Sequence, residues 1–112
     1  MEKQISRLKN HYIVCGFGRI GALICKELNS FGIDFVVIEK DPSVIEIIEE
    51  EQYLYLPMDS TSEETLIKAG VMDAKGLVTA VTNDADNVFI ILTAKGLRPD
   101  IFVLSRSSDI KN

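Results

Sequence analysis

The stretch that decides the fold is His11-Tyr12-Ile13-Val14-Cys15-Gly16-Phe17-Gly18-Arg19-Ile20-Gly21, followed 18 positions after its last glycine by Glu39. Its glycines have the spacing G-x-G-x-x-G. The apolar residues before them are typical of a buried strand, and the residues after them predict a helix. A second apolar run, at 35–38, ends at the acid. The strand, the glycines, the helix and the spaced acid together form the dinucleotide-binding fingerprint.

Each glycine of this pattern has a physical role. Gly16 permits the tight turn out of the strand, Gly18 lets the backbone approach a pyrophosphate, and Gly21 lets the helix pack close to the sheet. The first turn of the helix carries unpaired backbone N–H groups and the positive end of its dipole, which favour a phosphate. The alternative is a glycine-rich turn that binds nothing, and the surrounding strand, helix and acid disfavour it.

Two charged residues extend the expected site. Glu39 would accept hydrogen bonds from a ribose hydroxyl, and its carboxylate would repel a 2′-phosphate. The expected ligand is therefore NAD or a plain adenine nucleotide rather than NADP. Arg19, at the start of the helix, could bind the phosphates by paired hydrogen bonds or could be a surface residue that caps a carbonyl.

Composition and charge exclude several classes of protein. The chain has 112 residues, of which 46% are hydrophobic, so it is expected to be one domain with an ample core. The formal net charge of −5 argues against nucleic acid as the main partner. No run of 18 apolar residues exists, and residues 1–10 lack the apolar centre of a signal peptide, so we expect a cytoplasmic protein.

The two cysteines do not make a disulfide framework. Cys15 and Cys25 are expected to be reduced, buried, small apolar residues. A redox switch is the alternative, and it would need an exposed thiol of low pKa. His11 has no second histidine or cysteine at ligand spacing, so we expect it to be structural or exposed rather than a metal ligand or a catalytic base.

Strand and helix patterns alternate along the whole chain. This order predicts an α/β, doubly wound (Rossmann) parallel sheet of at least five strands with helices on both faces. The expected strands lie at about 11–15, 34–39, 53–56, 76–80 and 101–104. The expected helices lie at about 19–30, 42–50, 61–70 and 83–96.

Local signals support three of these helices. Asp41 is suited to the N-cap of the second helix, and Thr61-Ser62-Glu63-Glu64 fits a capping box for the third. One face of the first helix carries Ile20, Ile24, Leu28 and Phe31. The acidic residues of the second helix are expected to face solvent.

The chain contains five predicted strands, whereas a six-stranded Rossmann sheet would still need a helix and a strand. We therefore expect a single domain over 1–112, with a core at about 11–107, that is a fragment of a longer protein.

Ligands of a doubly wound sheet bind beyond the carboxyl ends of its strands. The candidate residues at those ends, besides the glycines and Glu39, are Phe17, Arg19, Ile20, Lys40, Asp41, Met58, Asp59, Ser60, Thr61, Val81, Thr82, Asn83, Asp84, Ser105 and Arg106. Asp59 with Ser60 could bind the adenine edge, could cap the next helix, or could do both. Asn83 could be a helix cap only, and Arg106 could be a solvated tail residue. No catalytic residue and no metal ligand is expected.

The motifs resemble the N-terminal subdomain of RCK domains, which are also called KTN or TrkA-N domains. The resemblance lies in residues 13–21, 37–39, 58–61 and 77–87. Met58-Asp59-Ser60-Thr61 is similar to the family's Gly-Asp-Ala-Thr pattern, with Met58 replacing Gly and Ser60 replacing Ala. The stretch around Asn83 is similar to its acidic T-x-D-D-x-x-N segment, with Asn83 in place of the first Asp.

The resemblance implies a regulatory module rather than an enzyme. RCK domains lie on the cytoplasmic side of potassium channels and transporters, bind NAD(H), ATP or ADP, and assemble as dimers and rings whose geometry acts on the pore. The expected partners are therefore a membrane subunit of a channel or transporter and further copies of the domain. By position, Gly16, Gly18, Arg19 and Gly21 match the phosphate loop, Glu39 the ribose acid, and Asp59 and Ser60 the adenine region.

Two alternatives to this function stay open. One is the cofactor-binding domain of an NAD-dependent oxidoreductase, which would need a downstream substrate domain that does not fit in this length. The other is a structural Rossmann module that has lost its ligand. In the fourth helix, Val88, Phe89 and Leu92 are expected in the core, and only an exposed apolar patch would favour a subunit interface instead.

Overall fold

The structure, a computed structural model, describes residues 1–105, which form one five-stranded parallel sheet with interleaved helices. The strands are β1 (Tyr12–Cys15), β2 (Phe35–Ile38), β3 (Tyr55–Leu56), β4 (Gly76–Thr79) and β5 (Phe102–Ser105). The helices are α1 (Glu2–Ser6), α2 (Arg19–Ser30), α3 (Pro42–Glu50), α4 (Glu63–Lys68) and α5 (Asp84–Leu97). The strand order is β3-β2-β1-β4-β5, so the predicted Rossmann-like fold is confirmed.

Two apolar layers cover the two faces of the sheet. Val14 of β1 packs in one layer with Cys25 of α2 and Ile48 of α3. Its neighbour Ile13 packs in the other layer, which includes Ile90 of α5 and residues of α1 and α4. Successive residues of a strand point to opposite faces, so a strand covered on both sides is apolar along its whole length. This is why the strands appear in the sequence as continuous apolar runs.

All five strands end at the same level of the sheet. Cys15 of β1 pairs with Ile38 of β2 and with Thr79 of β4. At the two edges, Leu56 of β3 pairs with Ile38, and Ser105 of β5 pairs with Thr79. Because all of these strands are parallel, the loops that follow them leave the sheet at one edge. The residues after β1, β2, β3 and β4 are thereby brought together.

The predicted helices at 19–30 and 42–50 are confirmed. Asp41 is the N-cap of α3, since its carboxylate accepts a hydrogen bond from the backbone N–H of Ser43 at 3.0 Å. The capping box predicted for the third helix is wrong, because the N-cap is Ser62 rather than Thr61, and Ser62 makes no side-chain cap hydrogen bond. The Thr61 hydroxyl instead donates to Asp59 Oδ1 at 2.8 Å. Asp59 Oδ1 also accepts from the backbone N–H of Thr61 at 2.9 Å, so this segment is a turn before α4.

Helix α1 is missing from the sequence-based prediction. Ile5 is the residue that attaches it, with 1% of its surface exposed in the layer that contains α4 and α5. Met1 lies against the edge strand, where its Sδ accepts from the backbone N–H of Tyr55 at 3.2 Å. One apolar residue in a five-residue helix produces no periodicity, so the pattern gave no signal here. Over residues 1–105, no helix is both long and apolar enough to cross a membrane.

The core expectation for α5 is wrong at three positions. Val88, Phe89 and Leu92 are 47%, 53% and 65% exposed, respectively. The face of α5 that packs on the sheet contains Ile90 and Ala94 instead. An exposed apolar patch therefore exists on α5, and it is the observation that favours an interface over a core role.

The predicted face of α2 is only partly buried. Ile24 and Leu28 are half-buried against the sheet, whereas Ile20 is 39% exposed and Phe31 is 76% exposed. The two fully buried positions of α2 are Gly21 and Cys25.

Both cysteines are buried free thiols, as expected. Burial raises the pKa of Cys15 to about 12, a rise that a hydrogen bond with Ser60 partly opposes, and burial raises the pKa of Cys25 to about 12. Neither thiol has the exposure or the low pKa that a redox switch needs. His11 is also buried, and its Nε2 lies 2.8 Å from the carbonyl oxygen of Ala69, which confirms a structural role.

Candidate functional site

A cavity of about 270 Å³ lies at the carboxyl edge of the sheet, where the strand order reverses between β1 and β4. Its walls are the segments that follow β1, β2, β3 and β4. The predicted site residues that line it are Gly16, Phe17, Gly18, Glu39, Lys40, Asp59, Ser60, Thr82 and Asn83. Arg19, Ile20 and Gly21 lie outside this lining. Ser105 also lies outside it, and Arg106 lies outside the described residues.

The three glycines of the loop differ in what surrounds them. Gly16 has a φ of +95°, and a Cβ there would lie 2.7 Å from the carbonyl oxygen of Ala80. A Cβ on Gly21 would overlap the carbonyl oxygen of Gly16. A Cβ on Gly18 would meet nothing within 4 Å. Gly16 and Gly21 are therefore required for packing, whereas Gly18 leaves open space at the cavity.

The first turn of α2 begins directly after this open position. Gly18 is the N-cap of α2 and provides no side-chain hydrogen bond to the N–H groups of that turn. These donors, with the positive end of the helix dipole, suit an incoming phosphate. Arg19 is exposed at the same helix end, outside the cavity lining.

Glu39 joins two loops of the cavity through its carboxylate. Its Oε1 accepts from the backbone N–H of Phe17 at 2.9 Å. Its Oε2 accepts from the backbone N–H groups of Lys40 at 3.2 Å and Asp41 at 3.1 Å. The predicted ribose acid is therefore already hydrogen-bonded to both the glycine loop and the loop after β2.

Asp59 and Lys40 face each other between the loops after β3 and β2. The Lys40 ammonium lies 3.8 Å from Asp59 Oδ2, and both side chains are largely exposed. Hydrogen bonds from the backbone and the hydroxyl of Thr61, with a smaller contribution from Lys40, lower the pKa of Asp59. Asp59 is therefore a carboxylate at neutral pH. Of its two expected roles, binding the adenine edge and capping, the structure shows the capping of the turn before α4.

Asn83 and Asn87 order the loop between β4 and α5. Asn83 is the N-cap of α5, and its Oδ1 accepts from the backbone N–H of Asp86 at 3.0 Å. Asn87 is buried, and its amide donates to the carbonyl oxygen of Val81 at 2.8 Å and accepts from the Val81 N–H at 3.3 Å. In the sequence Asn87 stands out only as the last residue of the motif at 77–87, because nothing there shows which backbone groups it would meet.

Sequence reasoning missed part of the lining. The missed residues are Ile38, Val44, Ala80, Asp86 and Ile90. Ile38 ends β2 and Ala80 directly follows β4, whereas the other three come from helices. The predicted strand-end residues Asp41, Met58, Thr61 and Val81 also line the cavity, and Asp84 does not. Among residues 1–105, Lys40 is the only basic residue in the lining, which contains four carboxylates, those of Glu39, Asp41, Asp59 and Asp86.

The lining offers hydrogen-bond donors and acceptors to a polar ligand. Within residues 1–105, no group of three or more His, Cys, Asp and Glu side chains is placed to hold a metal ion. The glycine loop and the start of α2 suit a phosphate, and the hydrogen-bonding groups after β2 and β3 suit a sugar and a base.

Comparison with known proteins identifies the family. Residues 12–112 match the family model described as the TrkA-N domain. This chain is a TrkA-N domain. It is 39% identical over 109 residues to "Potassium channel protein 1" of Methanocaldococcus jannaschii, a match that covers 96% of this chain and 33% of that protein. A second relative in that organism, "Probable potassium channel protein 2", is 37% identical over 112 residues, again with 33% of its length covered.

The TrkA-N domain thus spans about a third of the length of these channel proteins. The TrkA-N domain of the inner membrane protein ybaL from Escherichia coli has the same fold, with a TM-score of 0.82 and 26% identity over 88% of this chain and 73% of that one. The GsuK channel bound to NAD superposes with a TM-score of 0.76 at 21% identity, over 91% of this chain and 19% of that one. At that identity the likeness shows the fold alone.

Proposed function

We propose that this TrkA-N domain is a regulatory nucleotide-binding module, taking NAD(H) or ATP/ADP, that gates a potassium channel or transporter. The observation that carries the proposal is the cavity at the strand-order reversal, with Gly18 open on one side and Glu39 on the other. The family to which the chain belongs contains regions of potassium channel proteins, which supports the regulatory part of the proposal.

The parts of a nucleotide correspond to different walls of the cavity. Its phosphates lie at the start of α2, where Gly18 leaves room for them. Its ribose lies at Glu39, and its base lies between Met58 and Asp59 of the loop after β3. Solved structures of this fold are described as bound to NAD, ADP or AMP, all of which share an adenosine phosphate.

The charge of the lining supports a ligand without a 2′-phosphate. A 2′-phosphate would lie beside the Glu39 carboxylate, and the nearest lining cation, Lys40, already faces Asp59 at 3.8 Å. A second negative group beside the Glu39 carboxylate, with no cation free to offset it in the described lining, disfavours binding. The domain therefore takes NAD(H), ATP or ADP in preference to NADP(H).

The proposed partners are the pore-forming part of a potassium channel or transporter, on the same chain or on a membrane subunit, and further copies of this domain. The exposed Val88, Phe89 and Leu92 on α5 support contact between copies, because a row of apolar side chains is better placed against a partner than in water. This assembly places the domain on the cytoplasmic side of the membrane. Nucleotide binding then favours one arrangement of the copies, by its difference in affinity between two states.

The alternative of an oxidoreductase cofactor domain has less support. The single histidine, His11, lies buried at the opposite end of β1 and does not line the cavity. The curated relatives are named as potassium channel and transport proteins. We therefore propose a module without catalytic residues.

Calorimetric titration tests the binding site directly. NAD, NADH, ATP and ADP are titrated into the wild-type domain, with NADPH as the ligand that should bind weakly. The variant Gly18→Asp places a carboxylate where the phosphates should lie, and Gly18→Ala is its matched control, since a Cβ there meets nothing within 4 Å. We expect Gly18→Asp to lower affinity by at least about tenfold, the effect of placing one unit charge against another near a surface.

Either of two outcomes would contradict the proposed site. Affinity of Gly18→Asp equal to that of the wild type for every nucleotide would place the phosphates elsewhere. Absence of binding by all of the nucleotides would favour a Rossmann module that has lost its ligand. In the full-length protein, potassium flux that responds to nucleotide in Gly18→Ala and not in Gly18→Asp would support gating.

A further inference from the structure

We propose that Glu39 is a positioning residue, which holds the glycine loop and the loop after β2 in their binding geometry before any nucleotide arrives. In this role it acts through the backbone of Phe17, Lys40 and Asp41, apart from any contact with ribose. The inference rests on the proposed nucleotide site, and it adds a second role to a residue whose expected role was ribose recognition alone.

The hydrogen bonds of the carboxylate connect two loops that are far apart in the sequence, and they add to the bond from the backbone N–H of Gly16 to the carbonyl oxygen of Ile38 at 2.9 Å. Phe17, 22 positions earlier in the sequence, lies in the glycine loop and donates its backbone N–H to Oε1 at 2.9 Å. Lys40 and Asp41 begin the loop after β2 and donate to Oε2 at 3.2 and 3.1 Å. One side chain therefore ties together the two walls between which a ribose would lie.

Counting acceptor positions shows what a ligand can add. A carboxylate offers about four lone-pair positions, two on each oxygen. Within the described residues, three of them accept backbone N–H groups, two on Oε2 and one on Oε1. The remaining position is on Oε1, beside the glycine loop. A ribose can therefore donate one hydroxyl to Glu39 without displacing any loop hydrogen bond.

This arrangement couples sugar recognition to the shape of the phosphate site. A nucleotide that uses the open position of Oε1 finds the glycine loop already ordered, so it loses less conformational freedom on binding. If a nucleotide donates both of its ribose hydroxyls to Glu39, one loop N–H group loses its hydrogen bond to the carboxylate. The affinity of the domain for that nucleotide is then lower. Glu39 therefore contributes to the affinity even of a ligand that has no ribose hydroxyls.

Hydrogen exchange in the ligand-free domain tests the positioning role without relying on nucleotide binding. In Glu39→Gln the side chain keeps its shape but has one acceptor oxygen and one NH₂ group. We expect the amide of Phe17, or those of Lys40 and Asp41, to exchange about ten- to hundredfold faster than in the wild type, as expected on loss of a hydrogen bond to a charged group. The amide of Phe17 and those of Lys40 and Asp41 cannot all stay protected, because the NH₂ group of the glutamine must face either the first or the other two.

Two controls separate this effect from a general loss of stability. Glu46→Gln makes the same change of charge at an exposed position of α3, outside the cavity lining, and should leave the three loop amides unchanged. The amides of Val37 and Ala80, which donate to backbone carbonyl oxygens at 3.0 and 2.7 Å, report whether the sheet is intact in each variant. If Phe17, Lys40 and Asp41 all exchange in Glu39→Gln as in the wild type, the positioning role is wrong.

Titration with ADP and with 2′,3′-dideoxy-ADP tests the consequence for binding. If Glu39 acted on the ribose alone, Glu39→Gln would weaken ADP and leave the dideoxy nucleotide unchanged. We expect both to weaken, the dideoxy nucleotide by about threefold or more. Unchanged affinity for the dideoxy nucleotide would overturn the inference while the nucleotide site stood. If neither nucleotide binds the wild type, the proposed site fails, and the exchange rates still decide the role of Glu39 in the loops.

Discussion

Asn87 forms hydrogen bonds with both backbone polar groups of Val81, donating to its carbonyl oxygen at 2.8 Å and accepting from its N–H at 3.3 Å. The two residues lie at the start of α5 and directly after β4, respectively. A buried amide thus hydrogen-bonds to both backbone polar groups of a residue two positions beyond the end of β4. The geometry of the loop that contains Thr82 and Asn83 depends on this side chain.

Replacing Asn87 should therefore damage both stability and binding. We expect Asn87→Ala to lower the free energy of unfolding by about 2–3 kcal/mol, because it removes two part-buried hydrogen bonds and opens a small cavity where a buried side chain was. Asn29→Ala, at an exposed position of α2, should change it by less than about 0.5 kcal/mol. Urea unfolding of both variants measures the difference, and equal stabilities would show that the Val81 hydrogen bonds contribute little.

Alanine at two glycines should have opposite effects. Gly16→Ala combines a φ of +95° with a Cβ 2.7 Å from the carbonyl oxygen of Ala80, so it should lower the free energy of unfolding by at least about 2 kcal/mol. Gly96→Ala lies within α5, where a Cβ meets nothing within 4 Å, and should stabilise the domain by about 0.5–1 kcal/mol. Thermal unfolding tests the pair. A Gly16→Ala variant as stable as the wild type would mean that the glycine loop can move away from β4.

Thiol labelling should distinguish the folded from the unfolded chain. Burial keeps the pKa of Cys15 and Cys25 at about 12, so neither forms a thiolate at pH 8, and the thiolate is the form that reacts. We expect iodoacetamide to modify both within minutes in urea and neither at a comparable rate in the native state. Mass spectrometry of the modified peptides measures this, and fast native labelling of Cys15 would show that the loop above it opens.

The same thiols give the domain an alkaline dependence with a definite sign. Their pKa is raised in the folded state, so their contribution to stability is complete below the unfolded value of about 9 and is lost as the pH rises toward about 12. Cys25→Ala should make the fall in melting temperature between pH 8 and pH 10 less steep. An identical slope in the variant and the wild type would contradict this assignment.

The opposite sign holds at acidic pH. The hydroxyl and the backbone N–H of Ser43 lower the pKa of Asp41, so the stability that this cap provides is complete above about pH 4 and is lost as the pH falls below it. Asp41→Asn keeps an N-cap acceptor without a titrating charge. Between pH 5 and pH 3 the melting temperature of the variant should fall by less than that of the wild type, as measured by circular dichroism.

The elements predicted well from sequence are those whose determinants are local. The glycine spacing, the apolar strands and the Asp41-Pro42 start of α3 each encode one element within a few residues, and the alternation of elements then predicts the sheet. The rule that ligands bind beyond the carboxyl ends of the strands also predicts most of the cavity lining. Helix α1 was not predicted, because its position depends on one residue, Ile5, which packs against elements that lie far from it in sequence.

Other features depend on distant contacts and could not be predicted. Val88, Phe89 and Leu92 are as apolar as core residues, and only the packing of α5 on the sheet determines that they face outward. The bond between Glu39 and the Phe17 N–H joins two loops that the sequence separates by 22 positions. A pattern of residue types predicts that an acid follows β2, but it does not give the hydrogen bonds that the acid makes.

The equal height at which all five strands end limits how such a domain can evolve. A replacement in a loop changes what the cavity holds and leaves its walls in place. A single residue inserted into β1 would exchange the two faces of every residue beyond it and move Gly16 away from Ala80. New ligand preferences can therefore arise by substitution at the ends of the strands, whereas the lengths of the strands themselves are fixed by one another.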